Sequence, residues 1–249
     1  AAGASALGAN TTANDNTAFG YTALLANTTG HSNTAVGAGA AATVTTGDEN
    51  VAVGHGALQS MGTGNNGNTV VGTDACANAS YDASYNTAFG YNAMLSNTTG
   101  GGNTAIGNQA LDANTTATNN VAVGAGCLGA NTTGGSNTAI GTEASANNQT
   151  GGDLVAVGKN ALFTATSADH CTAVGHDALA ANLGSENTAL GSFAGKQVTT
   201  GINNVLLGYL AAGNLTTTSD NVIIGHDAGD NLVNGSQNIC IGTATSLSA

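Results

Sequence analysis

Read for its apolar and polar positions, the chain is one motif written many times over. A glycine recurs at Gly3, Gly20, Gly37, Gly54, Gly72, Gly90, Gly107, Gly124, Gly141, Gly158, Gly175, Gly191, Gly208, Gly225 and Gly242, at intervals of 17 residues except for two of 18 and one of 16. Ahead of it stand Asn, a β-branched residue, usually Ala, and a large apolar residue. Behind it come two variable positions, Ala, and often Leu, as in Asn16-Thr17-Ala18-Phe19-Gly20-Tyr21-Thr22-Ala23-Leu24. Self-similarity at a fixed period is the signature of a repeat architecture. A β-branched residue three positions before each glycine, with Gly and Asn punctuating every unit, argues against helix. Each unit is predicted to be one coil of an all-β solenoid, a β-roll or β-helix. It would hold a short strand leading into the glycine, a second strand around the Ala-Leu pair, and a turn at segments such as Asn27-Thr28-Thr29-Gly30. About fifteen such coils fill residues 1–249 as a single repeat domain, and at roughly 4.8 Å per coil they would stack to about 70 Å.

Alternation along the first strand bears on assembly. In Asn33-Thr34-Ala35-Val36-Gly37, Thr34 and Val36 point to one face and Ala35 to the other. The Val36 position is large and apolar in all fourteen complete units, and the Ala35 position is Ala in ten and Val, Leu, Ile or Cys in the rest. Both faces are therefore expected to be buried, one in the thin interior of the coil and the other against a neighbouring subunit. The Thr column (Thr17, Thr34, Thr69, Thr87, Thr104 and Thr138) is expected to face inward with the large apolar residues. The alternative is a lone solenoid with small, Ala-lined outer faces. Near the C-terminus, Val205-Leu206-Leu207 and Val222-Ile223-Ile224 add weight to the oligomer. The repeat glycines, with Gly20, Gly37, Gly54, Gly107, Gly124 and Gly141 as examples, are structural positions. So are Asn33, Asn50 and Asn103, whose stacked amides can bond from coil to coil.

Segments Asn16 to Leu24, Asn86 to Gly100 and Asn103 to Leu111 carry a unit, Asn-Thr-Ala-x-Gly-x-x-Ala-Leu-x-x-Asn-Thr-Thr-Gly, that resembles the 17-residue repeats of phage and bacterial tail-fibre-domain proteins. It is similar in style to the β-roll heads of trimeric autotransporter adhesins. The resemblance implies a parallel homotrimeric fibre: a non-enzymatic shaft or head segment, extracellular, on a cell surface or on a virion. Such a segment self-assembles, serves cell adhesion, and can bind a host or cell-surface receptor, glycan or protein. Relatives of this kind often carry a self-cleaving chaperone domain at the C-terminus, a pattern not seen after Thr243, and the chain starts in mid-repeat at Ala1. Neither end offers a polar capping helix or a Pro-bearing edge, so both are expected to continue into a longer fibre or to stack into a filament.

Composition narrows the partners further. With 14 Asp and Glu against 2 Lys and no Arg, the formal charge is −12, which removes the phosphate neutralisation that nucleic-acid binding needs and disfavours an anionic membrane surface. No run of 18 apolar residues predicts a spanning helix. The expected partner is the chain itself.

Candidate chemistry is sparse. Asp15, Glu49, Glu186 and Asp220 precede the Asn column, but Ser32, Gly67 and Tyr85 hold that place in other coils, so paired general acid and base residues are not spelled out. No nucleophilic triad is marked. No catalytic residue, cofactor site or metal set is assigned. His55, His176 and His226 follow the repeat glycine in coils too far apart to share a metal within one chain, and they read as a solvent-facing column with Tyr21, Tyr91 and Tyr209. The loop from Ala79, with Tyr81 and Tyr85, is the candidate receptor contact. Cys76, Cys127, Cys171 and Cys240 lie at least three coils apart, about 14 Å at 4.8 Å per coil, beyond disulfide reach. They replace residues that are usually Leu, Ala, Asn and Ala. The rival to a fibre is an ice-binding solenoid using a Thr ladder, for which the turn file through Thr29, Thr46, Thr63, Thr99, Thr116, Thr133 and Thr150 is the outward candidate.

Overall fold

Between each Asn and the repeat glycine there is room for three extended residues, and those three form a strand in every complete repeat. The computed structural model describes residues 1–78, 80–232 and 235–244, which divide into two compact units, Ala1–Ala125 and Gly126–Ala249. The first holds β1 (Thr17–Phe19), β2 (Thr34–Val36), β3 (Val51–Val53), β4 (Thr69–Val71), β5 (Thr87–Phe89), β6 (Thr104–Ile106) and β7 (Val121–Val123). The second holds β8 (Thr138–Ile140), β9 (Val155–Val157), β10 (Thr172–Val174), β11 (Thr188–Leu190), β12 (Val205–Leu207), β13 (Val222–Ile224) and β14 (Ile239–Ile241). Within each unit every strand pairs in parallel with the next, like position on like position: Thr17 on Thr34, Ala18 on Ala35, Phe19 on Val36, and Val205 on Val222, Leu206 on Ile223, Leu207 on Ile224. The chain is thus an all-β parallel solenoid, with no helix among the described residues. The repeat around Gly3 contributes an isolated parallel bridge, Ala2 to Phe19, in place of a strand.

The repeat glycine is demanded by stacking. Gly141 has φ +134°, and a Cβ there would lie 2.7 Å from both the carbonyl carbon and the oxygen of Gly158 in the coil above. Any side chain in this column would part the coils.

The second strand expected around the Ala-Leu pair does not form; consecutive β-turns take its place. Ala23 N–H donates to Gly20 C=O (3.4 Å), Leu25 to Thr22 (3.2 Å) and Asn27 to Leu24 (3.3 Å). Thr22 (φ 55°) and Leu24 (φ 50°) sit in the left-handed region, and positive φ at the third residue of a turn marks type II, usually a Gly or Asn position. Leu is tolerated because it fills the core, fully buried at Leu24, Leu58, Leu111 and Leu162. Roughly 2–3 kcal/mol of burial outweighs the ~1–2 kcal/mol of the left-handed backbone. Turning the chain every two residues also aims backbone groups along the stack, so Leu24 N–H reaches Ala40 C=O (3.1 Å) and Ala26 N–H reaches Ala42 C=O (3.0 Å).

Asn closes the coil from inside. Asn33 Nδ2 donates to Gly47 C=O (2.7 Å), while its Oδ1 accepts from the backbone N–H of Asn50 (3.0 Å) and from Asn50 Nδ2 (3.1 Å). Asn103 Nδ2 likewise donates to Ala117 C=O and its Oδ1 accepts from the Asn120 backbone N–H, each at 2.9 Å. These buried amides are satisfied by a backbone that would otherwise be orphaned at the corner.

Candidate functional site

The two faces of the strands have the opposite roles to those expected. The central residue points into the coil and is buried throughout, from Ala18 and Ala35 to Leu206, Ile223 and Cys240. The flanking residues, the Thr column included, point outward. Thr17 and Thr69 are exposed, Thr34, Thr87, Thr104 and Thr138 are half-buried, and Phe19 (62% exposed), Phe89 (56%) and Leu190 (53%) stand in solvent. The reason is width: with Ala23, Leu24 and their equivalents projecting from the facing wall, the interior has room for a methyl group and none for a Phe or Ile. The aliphatic runs near the C-terminus follow the same rule, their outer residues Val205, Leu207, Val222 and Ile224 standing half-buried on the outward face. Leu206 and Ile223 point inward, and the facing wall shrinks to make room. Ala212 and Gly229 occupy the usual Leu position, and a Cβ on Gly229 would already lie 3.0 Å from Ile223 Cδ1. Total core volume is kept while its distribution shifts.

What results outside is a two-file array. One file is Thr, Val or Ile and the other Phe, Val, Ile or Leu, with no charged residue in either. Within each unit the parallel register repeats it every coil.

The loop expected to contact a receptor splits. Tyr81 is fully buried; its hydroxyl donates to Asn68 Oδ1 and accepts from Asn86 Nδ2, both at 2.9 Å. It therefore plugs a core corner that Asn97 holds in the next coil, and it is no receptor contact. Tyr85 is 71% exposed at a left-handed corner (φ 60°) shared with Asp15, Glu49, Glu186 and Asp220. Those carboxylates are exposed one by one. Ala79 lies outside the described residues. A hydroxyl-rich surface depression of about 360 Å³ lies over Tyr81 and Met61, with Thr43, Ser60, Thr63 and Asp82 on its walls. The His column is outward as expected, His55, His176 and His226 having side chains 72%, 44% and 57% exposed.

All four cysteines are buried thiols. Burial pushes the Cys76 thiol up to about 12, against a smaller lowering by its contact with Tyr81, and burial also raises Cys171. Because the thiolate is the reactive form, an alkylating reagent at pH 8 is expected to leave Cys76 and Cys171 unmodified in the folded chain. The denatured, unreduced chain is expected to show four thiols by mass. Two thiols after denaturation, or rapid native modification of Cys76, would contradict this placement.

Comparison with known protein families, with curated proteins and with solved structures finds no match.

Proposed function

We propose that the chain is a non-enzymatic structural fibre or adhesin segment that associates with copies of itself through the outward strand face. The observation that carries this reading is the uncharged double file of apolar and Thr side chains repeated on every coil. Monomeric proteins rarely leave a contiguous apolar patch beyond a few hundred Å² in water, and the solvated face of a sheet is normally polar. Here the charges stand outside the strands and the sheet face has none, so a second copy of the same face, itself uncharged, is the fitting cover. The number three, the parallel arrangement, adhesion to a cell-surface glycan or protein, and a place outside the cell or on a virion come from the resemblance to tail-fibre and adhesin repeats.

Sedimentation equilibrium at micromolar concentration is expected to give three times the 23.8 kDa chain mass. The second reading, ice binding, gains from the outward turn of Thr17, Thr34, Thr69, Thr87 and Thr104. These stand in file, one strand spacing apart, with Val51 interrupting, beside an apolar file in place of a second Thr file. A monomeric mass together with thermal hysteresis would replace the fibre by that reading, whereas a trimeric mass without hysteresis supports the fibre.

A further inference from the structure

In the first unit, the column after the repeat glycine reads Tyr21, Ala38, His55, Thr73, Tyr91, Asn108, Ala125, so rings alternate with small residues. In the second unit, rings occupy four consecutive coils and touch. His176 and Phe193 meet edge to face with centroids 5.0 Å apart, Phe193 and Tyr209 likewise at 5.9 Å, and Tyr209 stacks on His226 at 5.3 Å and 17°. Phe193 joins from the neighbouring column, two places after Gly191, where its backbone N–H donates to His176 C=O at 2.8 Å. The coil does not need these rings, since Ala38 and Ala125 serve the same position.

Charge is gathered on the same strip. The sequence has two lysines: Lys159 is exposed in the same column, one coil before His176. Lys196 lies 4.9 Å over the Phe193 ring and 2.9 Å from Asp177 Oδ2. Asp177 Oδ1 accepts from Asn160 Nδ2 at 3.0 Å. Burial pushes the Asp177 carboxyl up, but the bonds from Lys196 and Asn160 and the charge of Lys196 outweigh it and hold the group below the usual range. Asp177 therefore stays ionised and fixes Lys196 beside the rings, with ammonium donors left for another partner. In a chain of charge −12, both lysines and two of five histidines fall within one strip.

We propose that this strip, Lys159 through His226, binds an acidic glycan. The C–H faces of pyranose rings would lie along Phe193 and Tyr209, and sugar carboxylates would pair with Lys159 and Lys196. Aromatic surface supplies the apolar contact with a sugar, the two ammonium groups select an anion against a globally repulsive background, and the Asp227 carboxylate can accept hydrogen bonds from sugar hydroxyls. The site is separate from the strand face and stands whether or not the chain self-associates.

The test uses the full chain with oligogalacturonate as the acidic probe and a cello-oligosaccharide of equal length as the neutral one, titrated calorimetrically at low salt. Saturable binding of the acidic probe alone is expected, weakened by added salt. Tyr209→Ala should lower affinity about tenfold and Tyr209→Phe should retain it. Lys159→Ala should reduce preference for the acidic probe, and Tyr21→Ala, an isolated exposed ring, should change nothing. Absence of saturable binding at millimolar probe, equal binding of the neutral probe, or equal losses for Tyr21→Ala and Tyr209→Ala would each overturn the proposal.

Discussion

Ala105→Asp is expected to unfold the coils around β6, whereas Ile106→Asp, one residue further along the same strand, is expected to leave the fold intact and dissolve the assembly. Ala105 is fully buried and Ile106 is 40% exposed. A carboxylate at Ala105 would enter an interior built of Ala and Leu side chains, with no cation to meet it. An unpaired buried charge belongs with the largest single-residue losses, on the order of 4–5 kcal/mol. At Ile106 the carboxylate points to water in the single chain, so circular dichroism and urea midpoint should stay close to wild type. In the proposed assembly the same substitution sets like charges together in an apolar contact. That costs several kcal/mol, and the expected readout is at least about a hundredfold weaker association by sedimentation. Asn108→Asp, exposed and beyond the glycine, serves as the neutral control. If Ala105→Asp folds normally while Ile106→Asp unfolds, the inward and outward faces have been assigned backwards. If Ile106→Asp changes neither fold nor mass, the strand face is not the contact between copies.

Two glycines separated by fifteen residues should respond very differently to a single methyl group. Gly141→Ala is expected to lower stability by about 3 kcal/mol or more, because a φ of +134° is nearly closed to alanine and the new Cβ collides with the Gly158 carbonyl. Gly126→Ala is expected to cost about 1 kcal/mol or less. Its φ of +64° is the ordinary left-handed well, and the nearest atom to the new Cβ is Glu143 Cγ at 3.7 Å. There the backbone penalty is partly offset by a stiffer unfolded chain. Urea midpoints measured on both variants check this, and equal shifts would mean that the repeat glycine is not held by the coil above it.

From the sequence alone, the 17-residue period, the β-branched position and the invariant glycine place determined a parallel solenoid with like residues in register. The Asn column was legible as an amide ladder for the same reason: a short polar side chain at a fixed place in every coil lies one strand spacing from its own copies, as Asn33 and Asn50 do. Which strand face lies inside was not legible. Alternation assigns Ala35 and Val36 to opposite faces, but parity is silent on direction, and the rule that large apolar residues lie inside points the wrong way here. The width of the coil decides it, through Leu24 and Leu58 entering from the opposite wall and leaving space for a methyl group. The turns at the Ala-Leu pair were hidden likewise, because a Leu at positive φ carries no local signal and is favoured only by the core it fills. Tyr81 and Tyr85 look alike along the chain, yet one hydroxyl is drawn inward by Asn68 and Asn86 from adjoining coils while the other ring stays in water. The ring strip was hidden because Phe193 stands two places after its repeat glycine while His176, Tyr209 and His226 stand one place after theirs, and only the stacked coils bring the four rings together. Periodicity in one dimension specifies which residues stack; only closure of the coil in three dimensions, with its fixed interior volume, settles which of them water can reach.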